Sequence, residues 1–143
     1  MSYESNRASV ERLLAATRDR DESAFAAAYS DDAVVRQSGV PESLGGVLRG
    51  RDAITENFRR QDPFAIEVRL MFGDESNVCV VGKLSGIVSG TERLKGTDQP
   101  FSTYECAVYT FRDGLIDRQL TFVNWLDAYV QANLVRLSDL LTS

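Results

Sequence analysis

The chain has 143 residues, 43% of them hydrophobic, and a formal net charge of -5 at pH 7. That length suits a single domain spanning 1–143 with a real core, and the apolar share excludes a wholly disordered chain. The acidic balance argues against nucleic acid as a partner, because phosphate contacts need a basic surface.

The N-terminus "MSYESNRASVERL" lacks the apolar stretch of a signal peptide, and no apolar run approaches a membrane span, so the expected location is cytoplasmic. Helical spacing puts Val10, Leu13, Leu14 and Thr17 on one face of "NRASVERLLAATRD". "DRDESAFAAAYSDD" reads as a second, short helix with Asp21 as N-cap, Phe25, Ala28 and Tyr29 inward, and Asp31 and Asp32 at its solvated end. "AVVRQ" is a strand, and "SGVPESLGGVLRG" is a glycine-rich loop. "RDAITENFRRQ" is a third helix burying Ile54 and Phe58.

From residue 64 the texture becomes β: "FAIEVRLMF", "NVCVVGKLSGIVSG", "STYECAVYTF" and "IDRQLTFVN" are strands, with "RDG" at 112–114 a tight hairpin. The polar stretch from Gly90 to Pro100 is long for a hairpin connection and is expected to move and gate. In "WLDAYVQANLVRLSDLLTS", Leu126, Val130, Leu134, Leu137 and Leu141 form a stripe that predicts a C-terminal amphipathic helix. Helices followed by consecutive strands give an α+β order. The expected shape is a cone of curved antiparallel sheet, its cavity closed by the N-terminal helices, with a C-terminal helix.

There is no histidine. Nucleophilic triads built on histidine are therefore absent, as is the commonest ligand for zinc, copper or iron. No glycine fingerprint marks a dinucleotide, so no metal and no cofactor is expected. Cys79 and Cys106 sit inside apolar strands and read most simply as small core residues.

The words "AFAAAYSDDAVV", "GGVLRGRDAI", "VVGKLSGIVSGT" and "VYTFRDGLI" followed by "FVNWLDAYVQ" resemble the nuclear-transport-factor-2-like superfamily, in its SnoaL-like and ketosteroid-isomerase-like branch. The resemblance implies the cone fold and a range of functions, from isomerases, epoxide hydrolases and polyketide cyclases to non-catalytic binders. The steroid isomerases' tyrosine and two aspartates would fall on Leu13, Gln37 and Ala107. The arginine and aspartates of limonene-epoxide-hydrolase-like members would fall on Lys83, Ser85 and Thr121. The aspartate of SnoaL-type aldol cyclases would fall on Asn124. None of these positions keeps a carboxylate.

Strand alternation gives a second view of the cavity wall. If Gln37 faces inward, so do Ala33 and Val35. Ala107 brings Glu105, Tyr109 and Phe111, and Thr121 brings Gln119 and Val123. Gln37 and Gln119 either orient a ligand or bond to each other. Asn124 either caps the last helix or meets substrate, and Tyr109 and Trp125 are either core or ligand contacts. Glu105, among apolar and aromatic neighbours, should be neutralised, paired with Lys83 or Arg69, or functional.

The resulting expectation is a cofactor-independent cyclase or isomerase of polyketide, hence antibiotic, biosynthesis. It would act on an apolar polyketide-like molecule by folding it, as in a pericyclic four-plus-two ring closure. Glu105 and Gln37 are the candidate catalytic residues. Leu13, Val35, Lys83, Ser85, Ala107, Tyr109, Gln119, Thr121, Val123, Asn124 and Trp125 are the candidate binding residues. The alternatives are acid–base cyclisation or dehydration by Glu105, and a non-catalytic small-molecule binder. The opposite strand faces carry Cys106, Val108, Leu120 and Phe122, which predicts a homodimer through the outside of the sheet.

Overall fold

Ser2 accepts a hydrogen bond from the Ser5 amide while the Ser5 hydroxyl takes the Ser2 amide, so α1 (Tyr3–Asp19) opens with two of its orphan donors satisfied. The computed structural model describes residues 1–90, 95–136, 138 and 141, with 88–90 and 95–97 described as backbone. At the far end of α1, Arg20 turns left-handed (φ 57°) and stops the helix. Its guanidinium donates to the Phe58 and Gln61 carbonyls and lies 4.4 Å from the centre of the Phe58 ring. One residue thereby ends α1 and caps α3 (Arg51–Arg60).

Asp21 caps α2 (Glu22–Ala27), accepting from the Ala24 amide as the sequence predicts. The chain leaves the helix earlier than expected. Tyr29, Asp31 and Asp32 belong to β1 (Tyr29–Ser38), so the two aspartates do not terminate a helix. The side chain of Asp31 pairs with Arg51, and that of Asp32 with Arg112, at 2.7 Å each. Arg51 also donates twice to the Tyr29 carbonyl, which ties α3 to the start of the strand.

The loop after β1 folds back through β2 (Val47–Arg49), which residue patterning alone did not reveal. β3 (Phe64–Gly73), β4 (Asn77–Gly90), β5 (Lys95–Arg112) and β6 (Leu115–Val123) complete one sheet of order β2-β1-β6-β5-β4-β3. Its pairs are antiparallel except β1 with β6, which run parallel. The hairpin at Asp113 and Gly114 uses positive φ at both residues, as a two-residue turn requires. Register shifts in β3, after Val68, and between β5 and β6, at Thr110 and Phe111, bend the sheet.

The concave face carries the core: Val10 and Leu13 from α1, Ile54 from α3, and Val35, Val80, Ala107, Tyr109 and Ile116 from the sheet. Asn6, fully buried, donates to the Glu75 carbonyl and docks α1 onto the β3–β4 turn.

Two expectations change at the chain's later segments. Residues 95–100 of the supposed mobile connection are strand, paired to β4, and 91–94 lie outside the described residues. The C-terminal helix α4 (Trp125–Gln131) is short, because Asn133 takes φ 61° and the chain turns. Leu126 and Leu141 are exposed and Leu137 lies outside the described residues, so the stripe does not form one buried helix face.

Cys79 and Cys106 also depart from the core reading. They are half-buried on the outer face of the sheet, with sulfurs 3.6 Å apart. Burial and the neighbouring sulfur raise the Cys79 pKa to about 11.

Candidate functional site

The curved sheet and the helices packed on it enclose a cavity of about 450 Å³. That is within the range of small-molecule sites. Exposed Arg60, Pro63 and Ile87 mark its opening, while buried Tyr29, Tyr109, Thr121 and Glu105 lie at depth. A groove of about 520 Å³ between α1 and β3 is lined by Arg7, Glu11, Arg18 and Arg69. These groups are solvated and engaged in ion pairs, so that groove offers no desolvated chemistry.

Of the residues singled out from sequence, Leu13, Val35, Gln37, Glu105, Tyr109, Gln119, Thr121, Val123 and Trp125 line the cavity. Ala107 also faces inward and is 1% exposed, but it packs in the core beneath the cavity wall. Lys83 and Ser85 do not reach the cavity. On β4 the inward positions are Val78, Val80, Gly82 and Leu84, so Lys83 and Ser85 fall on the convex face, where Ser85 meets Ser102 at 3.2 Å. Asn124 is exposed and caps α4, accepting from the Asp127 amide at 3.1 Å. Its side chain takes the capping role.

The strand registers set the inward side chains in rows. Val35, Gln119 and Tyr109 lie abreast across β1, β6 and β5, and the next row is Gln37, Thr121 and Ala107. One step further, Glu105 stands between Val123 and Gly82. Glycine suits this position: a Cβ would lie 2.7 Å from the Ile66 methyl and 3.0 Å from the Glu67 carbonyl oxygen, so a side chain would force a neighbour to shift.

Glu105 is 7% exposed. Among the described residues no lysine or arginine lies within ion-pair distance of it. Lys83 is on the opposite face of the sheet, and Arg69 pairs with Glu67. The salt-bridge reading of Glu105 is thereby corrected. With no cation to hold the charge, burial raises its pKa to about 7. Burial also raises Tyr109, with Tyr29 and Glu105 adding to the effect.

The two glutamines do not bond to each other. Tyr29, 2% exposed, donates from its hydroxyl to Gln119 Oε1 at 2.6 Å, and Gln119 Nε2 donates to Thr121 Oγ1 at 3.0 Å. The Gln37 side-chain amide has no hydrogen-bond partner among the described residues and faces the cavity. Trp125, stacked on Tyr129 with ring centres 5.9 Å apart, buries an indole N–H that also has no partner.

Tyr29, Leu84, Gly86 and Phe101 line the cavity too, and sequence reasoning missed them. The signal existed for Leu84 in the even-numbered apolar positions of "NVCVVGKLSG"; for Tyr29 strand parity gave none, because the register shifts between Tyr29 and Val34 and Asp31 is exposed. Among the described residues no cluster of three or more potential metal ligands occurs, and no helix is long and apolar enough to cross a membrane.

Residues 10–119 match the family model of the SnoaL-like domain. No protein of curated function matches the sequence. Among solved structures, a protein of Xanthomonas campestris pv. campestris provisionally named a polyketide cyclase is 18% identical. Its TM-score is 0.79, with 90% of this chain and 97% of that one covered. TsrD from Streptomyces laurentii is 15% identical, with a TM-score of 0.77 over 94% of this chain and 99% of its own. An LEH-like epoxide hydrolase of M. tuberculosis is 20% identical, with a TM-score of 0.74 over 92% and 86%. At these identities the likeness is one of fold.

Proposed function

The chain belongs to the SnoaL-like domain family, and from that premise we infer that it is a cofactor-independent cyclase or isomerase of an apolar, polyketide-like small molecule. One observation carries the reading: a cavity of about 450 Å³, walled mainly by apolar and aromatic side chains, with Asn57, Arg60, Gln61 and Asp62 among its lining and Glu105, Gln119 and Thr121 deeper in its wall. Such a space folds a flexible chain into a reactive conformer, and positioning of this kind supplies up to about 7–11 kcal/mol in favourable cases. A pericyclic four-plus-two closure is the reaction that positioning alone serves best. The protein would work in the cytoplasm as a homodimer joined through the convex face of the sheet.

A second reading has its own observation. Glu105 is buried in the cavity wall without a counter-charge, and its pKa of about 7 suits a group that gives and takes a proton near neutrality. Here Glu105 acts as the acid–base group of an aldol, dehydration or cyclisation step.

Turnover by Glu105→Gln separates the two. If shape carries the reaction, the variant loses less than about tenfold and the rate is nearly flat between about pH 6 and 9. If Glu105 moves a proton, the loss exceeds about a hundredfold and the wild-type rate follows one ionisation near 7. No turnover by any folded form, with tight binding retained, would make the protein a binder.

A further inference from the structure

The Tyr29 hydroxyl is buried and must find an acceptor, and it finds Gln119 Oε1 at 2.6 Å. That contact orients the amide. With its oxygen turned to Tyr29, Gln119 presents its NH₂ to Thr121 Oγ1, at 3.0 Å. Thr121 is 9% exposed and lines the cavity. It accepts from Gln119, and its own hydroxyl hydrogen has no acceptor among the described residues. Its row neighbours are Gln37, which also lines the cavity, and Ala107, which packs beneath the wall.

We propose that Tyr29, Gln119 and Thr121 form a directional hydrogen-bond chain whose free end is a donor subsite for a ligand oxygen. The cavity then selects an apolar molecule bearing a ketone, ester or ether oxygen over the bare hydrocarbon. Thr121 makes the contact, and Tyr29 is a positioning residue acting through Gln119. This rests on reading the cavity as a ligand site and adds which chemical group binds at its depth. The chain's direction matters. A Gln119 amide turned the other way would make Thr121 a donor to glutamine and move the chain's free hydrogen to Tyr29.

The test uses acetylnaphthalene and ethylnaphthalene, matched in shape, with binding read from the fluorescence of Trp125. This is the chain's one tryptophan and it lies in the cavity wall. The ketone should bind about threefold to tenfold tighter, the worth of one neutral hydrogen bond. Thr121→Val should erase that preference while leaving the hydrocarbon's affinity within about twofold. Thr121→Ser should keep it. Tyr29→Phe should reduce the preference at least by half without weakening the hydrocarbon, a ratio that loss of packing alone would not move. Equal affinities in the native protein, or a preference surviving Thr121→Val, overturns the subsite. A preference untouched by Tyr29→Phe overturns the chain. Failure of both compounds to bind would refute the ligand-cavity reading itself.

Discussion

Replacing Glu105 by glutamine should raise stability at alkaline pH, and the size follows from its burial. The carboxyl titrates at about 7 in the folded chain against an ordinary 4.5. The folded state therefore holds its proton more tightly than the unfolded state does. Stability is full below pH 4.5, falls as pH rises from there to about 7, and is level above. The gap corresponds to about 3 kcal/mol, at about 1.4 kcal/mol per pH unit. For a chain of this length that is roughly 10 °C in melting temperature.

The window is unusually clean. The chain has no histidine to titrate within it. Asp19, Glu22, Asp74 and Asp127 carry lowered pKa values, so their contributions are lost on acidification below it. Urea denaturation at half-unit steps from pH 4.5 to 8.5 should show the native protein losing about 3 kcal/mol. Glu105→Gln should stay nearly flat, meeting the native value near pH 4.5 and exceeding it at pH 8. Coincident curves for the two proteins would show instead that a partner stabilises the carboxylate in the folded state.

Three other outcomes are expected. Phe122→Asp should convert a dimer to a monomer in light scattering at micromolar concentration, since Phe122, Leu120, Leu70 and Phe72 form an exposed apolar surface on the convex face; an unchanged mass counts against the interface. Turnover should survive dialysis against a chelator, and a loss restored by a divalent ion would overturn the cofactor-independent reading. Gly82→Ala should destabilise by about 1–3 kcal/mol in urea, because its Cβ would press on Ile66 and the Glu67 carbonyl, and a neutral effect would show that the strand pair yields there.

Much of the fold could be read from local pattern. The β-rich run "NVCVVGKLSGIVSG" matched β4 to the residue, the Asp21 cap opened α2, and "RDG" produced the hairpin, because each depends on neighbours a few positions away. The inward rows of β1, β5 and β6 were legible for the same reason: once one residue faces in, period two supplies the rest. The β4 parity was legible as well, in Val78, Val80 and Leu84, but resemblance to family positions assigned the wrong face to Lys83 and Ser85.

Local pattern in the chain gave the order of the helices and long strands, the absence of histidine chemistry, and the inward face of β1, β5 and β6. Which of those faces meet follows from how distant segments pack. Tyr29 and Gln119 are 90 positions apart and form a pair because β1 lies parallel to β6. Glu105 lacks a cation because the sheet itself stands between it and Lys83, and its pKa is raised by the burial that this arrangement imposes. Local pattern governs contacts between near neighbours in the chain. Partners and dielectric depend on distant segments packed together, and for Glu105 those two quantities set the chemistry.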